Sequence, residues 1–197
     1  VYDNKDNFLA RGHYQPGTIA VRILTFRDEE IDEAFFRARV TDAIEYRKRT
    51  GIFALTSTSV FRLIHAEGDN LPGLIVDIYN NVAVMQAHSV GMYLQKELLA
   101  DILMSSLDSR ITAVYDKSSS SLPFKAGINN INGFIRGNER GNIVEEYGHR
   151  FHVDWEEGQK TGFFVDQREN RKLIEAYSGG SNVLNLFAYT GGFSVYA

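Results

Sequence analysis

Apolar positions along residues 1–53 change from an alternating to a helical period. Residues 1–27 contain three short alternating segments separated by polar turn clusters at 3–7 and 15–17, which predicts three strands. From residue 28 to residue 50 the apolar side chains recur at roughly helical spacing, and Gly51 follows as a stop. The pattern predicts a small β-rich unit (1–27) followed by a linker helix (28–53).

The outer side of this predicted helix carries basic residues: Arg37, Arg39, Arg47, Lys48 and Arg49. A solvated helix face accounts for such a run, and we favour that interpretation. The alternative is a stripe of positive charge that faces RNA phosphates.

Residues 54–150 show strand patterns on both sides of one helical pattern. Three consecutive strands are predicted between residues 56 and 87, with turns at 68–70 and at Asn80 and Asn81. Residues 90–105 predict a helix, 110–117 a strand, and the polar stretch 117–130 a loop. Strand patterns at 133–138 and 142–155 follow, with a turn near 139–141. We interpret this part as an α+β module of the order strand-strand-helix-strand-strand.

The last part of the chain combines strand and helix patterns with glycine turns. Residues 163–165 predict a strand, and the stretch from Asp166 predicts a helix that stops at Gly179 and Gly180. Residues 183–187 then form a short apolar run, which predicts a buried strand that leads into a glycine turn. This order is typical of the beginning of a doubly wound α/β domain, where ligands bind at the carboxyl ends of the strands.

Composition excludes several classes of protein. The 197 residues are 44% hydrophobic, which is enough for a core. The 21 basic and 25 acidic residues give a net charge of −4, so there is no global signature of nucleic-acid binding. Cysteine is absent, which excludes disulfides, thiolate metal sites and a cysteine nucleophile within the chain. No apolar run reaches the roughly 18 residues of a membrane span and no signal peptide opens the chain, so we expect a cytoplasmic protein without a metal.

Residues 158–170, GQKTGFFVDQREN, are the strongest candidate for chemistry. A phosphate loop is rejected, because Gln159 separates the glycine from Lys160 and a strand pattern follows instead of a helix. Alternation along a strand would send Phe163 and Phe164 to opposite faces, so one ring would pack in the core. The other ring would be available to a planar or cationic ligand. Gly191 and Gly192 alone are explained equally well by a tight turn.

Two motifs in this order resemble one known family. The chain carries GQKTGFFVDQRENR and then VLNLFAYTGGFSVYA, and it is similar there to the RlmI/YccW-type class I S-adenosylmethionine-dependent methyltransferases of ribosomal RNA. RLIHAEGDNLPGLIVDIY resembles the central domain of that family, and FLARGHYQPGTIAVRILTF resembles the second half of its N-terminal PUA domain. The resemblance implies an α+β chain with part of a PUA domain (1–27), the linker helix (28–53), the central module (54–150) and the start of a Rossmann-like methyltransferase domain (151–197).

The same resemblance implies methyl transfer from S-adenosyl-L-methionine to C5 of a cytosine in large-subunit ribosomal RNA. In the family a cysteine attacks C6 of that base, and an Asp-Pro-Pro segment and an acidic residue after the next strand complete the site. None of these three occurs here, and both ends of the chain read as cut. We therefore expect a fragment that does not catalyse by itself, with the nucleophile downstream. The alternatives are an RNA-binding module without catalysis, or an enzyme of the same fold that acts on a protein or a small molecule.

Site residues follow from the matching motifs. The resemblance implies contacts to the cofactor by Lys160, Thr161, Gly162, Phe163, Phe164, Asp166, Gln167, Arg168, Asn185, Phe187, Tyr189 and Gly191. For Asp166 a helix cap and a ligand contact are equally good explanations. For Arg168 we favour a contact with ligand or substrate, and for Phe187 packing is an alternative. The predicted RNA contacts are Arg11, Arg22 and Arg62. A homodimer is a further expectation, because the C-terminal elements could pack on the central module or on another copy.

Overall fold

A five-stranded mixed sheet forms the centre of the structure, a computed structural model that describes residues 1–107, 110–123, 127–128 and 130–197. The strands are β1 (Arg11–Tyr14), β2 (Val21–Thr25), β3 (Val60–His65), β4 (Leu74–Tyr79), β5 (Val82–Ala87), β6 (Ala113–Asp116), β7 (Gly133–Arg136), β8 (Ile143–Glu146) and β9 (His149–His152). The helices are α1 (Glu33–Arg49), α2 (Val90–Leu94), α3 (Lys96–Ser106), α4 (Arg168–Ser178) and α5 (Gly192–Tyr196).

The central sheet has the strand order β3-β4-β5-β6-β7, in which only β5 and β6 are parallel. A parallel pair needs a crossover connection, and α2 and α3 supply it. The three strand patterns between residues 56 and 87 are all present, so three strands precede the helices rather than the two of the predicted order. Asn80, at φ 56°, makes the tight turn between β4 and β5. The predicted loop over 117–130 includes residues outside the described part, at 124–126 and 129.

Both faces of the central sheet are covered. One face packs against α1 and α3 through a large apolar cluster that includes Phe36, Leu63 and Leu103. The other face carries a second cluster, which includes Val84 of the sheet and Phe151 of the β8–β9 hairpin. Trp155, Phe163, Val165 and Tyr196 belong to this second cluster. The sequence left open whether the C-terminal elements pack on the central module or on another copy of the chain. The structure shows them packed on the central module.

The N-terminal residues form the antiparallel pair β1–β2, which docks against α2. The contact is close, since a Cβ atom on Gly91 would lie 2.0 Å from the ring of His13. The first of the three predicted strands is reduced to an isolated bridge between Tyr2 and Phe8. Assignment of this pair to a PUA domain stays a prediction.

Helix predictions are confirmed where a cap or a glycine marks the end. Asp32 caps α1, because its carboxylate accepts a hydrogen bond of 2.9 Å from the backbone N–H of Phe35. The helix predicted over 90–105 is divided at Gln95 into α2 and α3. The helix predicted from Asp166 begins at Arg168 and ends before Gly179.

Two strand predictions are wrong. Residues 163–165 form a bend that leads into a 3-10 turn (Val165–Gln167), because the left-handed backbone at Lys160 (φ 52°) and the positive φ of Gly162 (121°) break the extended path. Residues 183–187 are not in a sheet, and Leu184 and Leu186 are 82% and 67% exposed. A strand requires a hydrogen-bonded neighbour, and this run has none among the described residues.

No helix among the described residues is both long and apolar enough to pass through a membrane. Within the same residues, no three His, Cys, Asp or Glu side chains gather as a metal site would require.

Trp155 is the side chain that we expect to attach the C-terminal part to the central sheet. It is fully buried, with ring centroids 4.8 Å from Tyr115 and 5.9 Å from Phe134. Trp155→Ala should lower the free energy of unfolding by about 3–5 kcal/mol, because a buried aromatic ring is lost and a cavity remains. Urea unfolding followed by circular dichroism measures this, and the exposed Leu173→Ala is the control, with an expected change within about 0.5 kcal/mol. Equal effects of the two substitutions would contradict the packing role.

Candidate functional site

A relay of hydrogen bonds fixes the segment 158–164 on strand β4. The backbone N–H of Phe163 donates to Tyr79 Oη over 3.1 Å, and the Tyr79 hydroxyl lies 2.9 Å from Thr161 Oγ1. The Thr161 hydroxyl in turn donates to Oδ2 of the buried Asp77 over 2.6 Å. Burial raises the pKa of Tyr79, which keeps its hydroxyl protonated and able to donate to Thr161. Thr161 therefore faces the body of the protein rather than solvent.

A second group of contacts holds the backbone of the same segment. Gln86 Nε2 donates to the Lys160 carbonyl over 3.1 Å, and Lys117 Nζ donates to the Gly158 carbonyl over 2.5 Å. Burial lowers the pKa of Lys117. Tyr189 Oη accepts from the N–H of Gln159 over 2.8 Å, which joins this segment to the turn that follows residue 187.

Both of these segments contain residues with a strained backbone. Lys160, Phe187 and Tyr189 have φ values of 52°, 59° and 51°, a region that costs a side chain of this size about 1–3 kcal/mol. Gly162, at φ 121°, could not be replaced, because a Cβ atom there would lie 2.5 Å from Trp155 Cα. At Lys160 the strained backbone is held by the hydrogen bond from Gln86 to the Lys160 carbonyl.

The two motifs meet at one cleft of about 290 Å³, which we call the first cleft. Its lining residues are Phe163, Phe164, Gln167, Arg171, Phe187, Ala188, Tyr189, Thr190, Gly192 and Phe193. The rings of Phe164 and Tyr189 meet edge to face at 5.4 Å, and the Lys160 ammonium lies 4.5 Å from the Phe164 centroid. Aromatic faces with an amide and a cation at the rim suit a ligand that is flat at one end and charged at the other.

The two phenylalanines have different surroundings, as the sequence indicated. Phe163 is 2% exposed and lies 5.1 Å from the ring of Phe151, whereas Phe164 is half-buried and contributes to the first cleft. The separation comes from the bend after Gly162 and not from strand alternation.

Four more of the residues predicted to contact the cofactor do not line the first cleft. Asn185 Nδ2 donates to Ser194 Oγ over 2.8 Å, and Gly191 precedes α5 at φ 72°. Asp166 and Arg168 line a different cleft on the other side of the same segment. No side chain caps α4, so the cap considered for Asp166 is absent.

The three arginines predicted to contact RNA each pair with a carboxylate. The distances are 2.5 Å from Arg11 to Asp28, 3.1 Å from Arg22 to Glu67 and 2.8 Å from Arg62 to Asp77. Asp77 is completely buried and also accepts the Thr161 hydroxyl, so Arg62 is linked to the segment of the first cleft. Of the three arginines, only Arg62 lines one of the two clefts beside this segment.

Sequence reasoning missed a buried ion pair under the first cleft. Arg171 Nε and Nη2 each lie 2.6 Å from a carboxylate oxygen of Glu146, and its Nη1 donates to the Phe164 carbonyl over 3.0 Å. The guanidinium carbon lies 4.4 Å from the Phe163 centroid, and Tyr196 Oη donates to the Glu146 carbonyl over 2.9 Å. Burial raises the pKa of Tyr196.

The helical period was no guide to this pair, because it pointed to another face of α4. The sequence suggested an apolar face of α4 formed by Leu173, Ile174 and Tyr177. The structure instead buries Arg171 and Ser178, seven residues apart, while Leu173 and Tyr177 are 55% and 80% exposed. A charged residue on the inward face of an amphipathic helix indicates a buried partner.

Comparison with known proteins connects this site to a family. Residues 133–197 match the model for S-adenosylmethionine-dependent methyltransferases. The whole chain is 38% identical to a protein of Alteromonas mediterranea and 39% identical to one of Photobacterium profundum, both named ribosomal RNA large subunit methyltransferase I. It spans about half the length of these curated relatives, 49% and 50%.

Solved structures support the fold. One, from Streptococcus mutans and described as a candidate S-adenosylmethionine-dependent methyltransferase, superimposes with a TM-score of 0.82 at 24% identity, covering 99% of this chain and 50% of that one. Another, a candidate methyltransferase in complex with S-adenosylhomocysteine, gives 0.83 at 22% identity over 99% of this chain and 49% of that one. The mixed α/β fold is thereby confirmed. The family resemblance predicted from the sequence is confirmed by the curated relatives and the family model. The predicted cofactor, S-adenosylmethionine, is the one in the name of the matched family.

The pair Arg171–Glu146 yields a test of how the first cleft is held. Arg171→Met should lower the free energy of unfolding by about 3–5 kcal/mol, because the Glu146 carboxylate remains buried without its partner. The double variant Arg171→Met with Glu146→Leu should recover most of this loss, since two apolar side chains can replace a buried ion pair at little cost. Urea unfolding of both variants measures the difference. A double variant that is as unstable as the single one would show that the loss comes from packing and not from the stranded charge.

Proposed function

We propose that this chain, homologous over its whole length to the ribosomal RNA large subunit methyltransferases named above, is part of an enzyme that transfers a methyl group from S-adenosyl-L-methionine to C5 of a cytosine in large-subunit ribosomal RNA. Because the chain spans about half of its relatives, the activity is assigned to the longer protein. The observation that carries the proposal is the meeting of the segments 158–164 and 187–192 at the first cleft, inside the stretch that matches the methyltransferase family.

The residues of the first cleft fit part of an adenosyl-methionine cofactor. Phe164 and Tyr189 would provide aromatic surface for the adenine ring or the sulfonium cation. Gln167 and the exposed ammonium of Lys160 would provide polar contacts at the rim, and the turn at 188–190 brings backbone close to the ligand. When bound, the cofactor supplies an electrophilic methyl group on a sulfonium.

The residues of this chain would bind and orient the cofactor rather than perform the chemistry. Methylation at C5 of cytosine requires a nucleophile that adds to C6 and makes C5 electron-rich, and the family uses a cysteine for this step. The chain contains no cysteine. The proposal therefore expects a cysteine in the remaining part of the longer protein, and a protein without one would act on another position or another substrate.

Several narrower statements remain proposals alongside this one. They are the PUA identity of residues 1–27, the RNA contacts of Arg11, Arg22 and Arg62, a cytoplasmic location and a homodimer.

Cofactor binding at the first cleft can be tested in the full-length protein. Phe164→Ala should weaken the binding of S-adenosylhomocysteine by about 10- to 100-fold, because an aromatic wall of the cleft is removed. Isothermal titration calorimetry gives the dissociation constants, and Leu173→Ala, on the exposed side of α4, should bind like the parent protein. Unchanged binding by Phe164→Ala would place the cofactor elsewhere.

The methylated base can be tested in cells. Deletion of the gene should abolish one 5-methylcytosine in large-subunit ribosomal RNA, as measured by bisulfite sequencing and mass spectrometry of RNA digests. The gene for the full-length protein should restore it. A deletion strain with every 5-methylcytosine intact would refute the substrate, while the cofactor assignment would still rest on the calorimetry.

A further inference from the structure

A second cleft of about 350 Å³ lies on the other side of the segment that forms the first cleft. One wall comes from the end of α1 and from β3, and the other from the 3-10 turn Val165–Gln167 and the start of α4. The lining residues are Tyr46, Arg47, Thr50, Ile52, Phe61, Arg62, His65, Val165, Asp166 and Arg168. Its volume is within the range of about 300–1,000 Å³ found for small-molecule sites.

The floor of the second cleft is apolar and its rim is aromatic. Ile52, Phe61 and Val165 are 7%, 4% and 6% exposed, so they form a dry floor. Tyr46 is 54% exposed, and the guanidinium of Arg47 lies 5.2 Å from its ring centroid. A flat apolar group that enters the cleft can thus be stacked and partly desolvated.

Two arginines of the second cleft are held in place before any ligand arrives. Arg47 forms a two-point pair with Asp69, which includes a bond of 2.7 Å from Nη2 to Oδ2, and its Nε donates to the Arg62 carbonyl. Arg62 uses Nε and Nη2 for Asp77, at 2.8 and 2.9 Å, so its Nη1 has no hydrogen-bond partner among the described residues. Asp166 is exposed, and its carboxylate accepts no hydrogen bond from the described part of the chain.

The charges that line the second cleft favour a nucleobase over a phosphate as its ligand. Arg47 and Arg62 are already neutralised by Asp69 and Asp77, and Asp166 adds a negative charge. Arg168, the third arginine of the lining, pairs with Glu169 at 3.2 Å. A phosphate inside the cleft would meet the Asp166 carboxylate. A nucleobase would instead find an acceptor at Asp166 and a donor at Arg62, the two groups that a hydrogen-bonding base edge requires.

Positive charge is available just outside the cleft. The last turn of α1 carries Arg47, Lys48 and Arg49, of which Lys48 and Arg49 are exposed. Single-stranded RNA is bound by this combination, in which bases stack on aromatic rings and phosphates follow cationic side chains.

We infer that the second cleft binds one unstacked nucleotide of single-stranded RNA, with its base against Tyr46 and Asp166 and its phosphate beside Arg49. The inference rests on the proposed function for the nature of the substrate and adds the site on this chain. The bound nucleotide would be a neighbour of the methylated one, because Phe164 and Gln167 line the first cleft while Asp166 and Arg168 line the second.

Fluorescence anisotropy on the full-length protein with fluorescein-labelled single-stranded oligocytidine and oligouridine tests this site. Tyr46→Ala should weaken RNA binding by about 5- to 150-fold, the range for loss of one base stack, without a change in salt dependence. The matched control is Tyr177→Ala, an 80% exposed tyrosine on α4 outside both clefts, which should bind like the parent.

Three more substitutions, one of them a control, separate base contact from phosphate contact. Arg49→Met should lower the slope of log affinity against log salt by about 1, as expected for one lost phosphate contact. The control Arg150→Met, at another exposed arginine, on β9, should leave the slope unchanged. Asp166→Asn should change the ratio of oligocytidine to oligouridine affinity at a constant slope.

Titration of S-adenosylhomocysteine in the same proteins keeps the two proposals apart, because the substitutions at Tyr46, Tyr177, Arg49 and Arg150 should leave its affinity within about twofold of the parent. Equal RNA binding by Tyr46→Ala and Tyr177→Ala would overturn the inference. A parent protein that binds the cofactor product but neither oligonucleotide would also overturn it, while cofactor binding stands. A parent that binds neither ligand would overturn the proposed function as well.

Discussion

The buried contact between Arg171 and Glu146 is the interaction on which the shape of the candidate site depends. Two charges removed from water cost several kcal/mol each, and only near-complete hydrogen bonding offsets that cost. Arg171 meets the requirement, since Glu146 takes two of its donors and the Phe164 carbonyl takes a third. The same guanidinium lies under the ring of Phe163. One contact thus joins the β8–β9 hairpin, α4 and the segment that separates the two clefts.

That segment is also held from the opposite side by strand β4. Asp77 accepts both Arg62 of β3 and the hydroxyl of Thr161, and Tyr79 receives the N–H of Phe163. Because β4 lies in the interior of the central sheet, these anchors rest on a rigid element. The residues between the anchors can then present Phe164 to one side and Asp166 to the other in a fixed relation. A cofactor and an RNA nucleotide bound on the two sides would share a single short support.

Local sequence patterns predicted the elements whose ends are set by residues close by in the chain. Gly51 marked the end of the region of α1, and Asn80 marked the turn between β4 and β5. The motifs of the family identified residues that the structure brings to one cleft, such as Phe164 and Tyr189. The strand expected at 183–187 did not form, because strand formation depends on a partner elsewhere and not on the apolar run itself. The pair Arg171–Glu146 escaped for the same reason, since its partners are 25 residues apart and lie on different elements.

The turn at 187–191 is held by fewer contacts than the segment 158–164. Lys160 keeps a left-handed backbone while Gln86 binds its carbonyl, so the protein itself balances that strain. Phe187 has the same kind of backbone but is fully exposed, and the turn is attached mainly through the Tyr189 hydroxyl and the Asn185–Ser194 hydrogen bond. Strain that few contacts support lowers the population of the conformation that carries it. The apparent affinity of a ligand that contacts the turn is reduced by the fraction of molecules that hold this conformation. Binding of the ligand in turn raises the population of the conformation. Cofactor binding and order in this turn are therefore linked in the proposed enzyme.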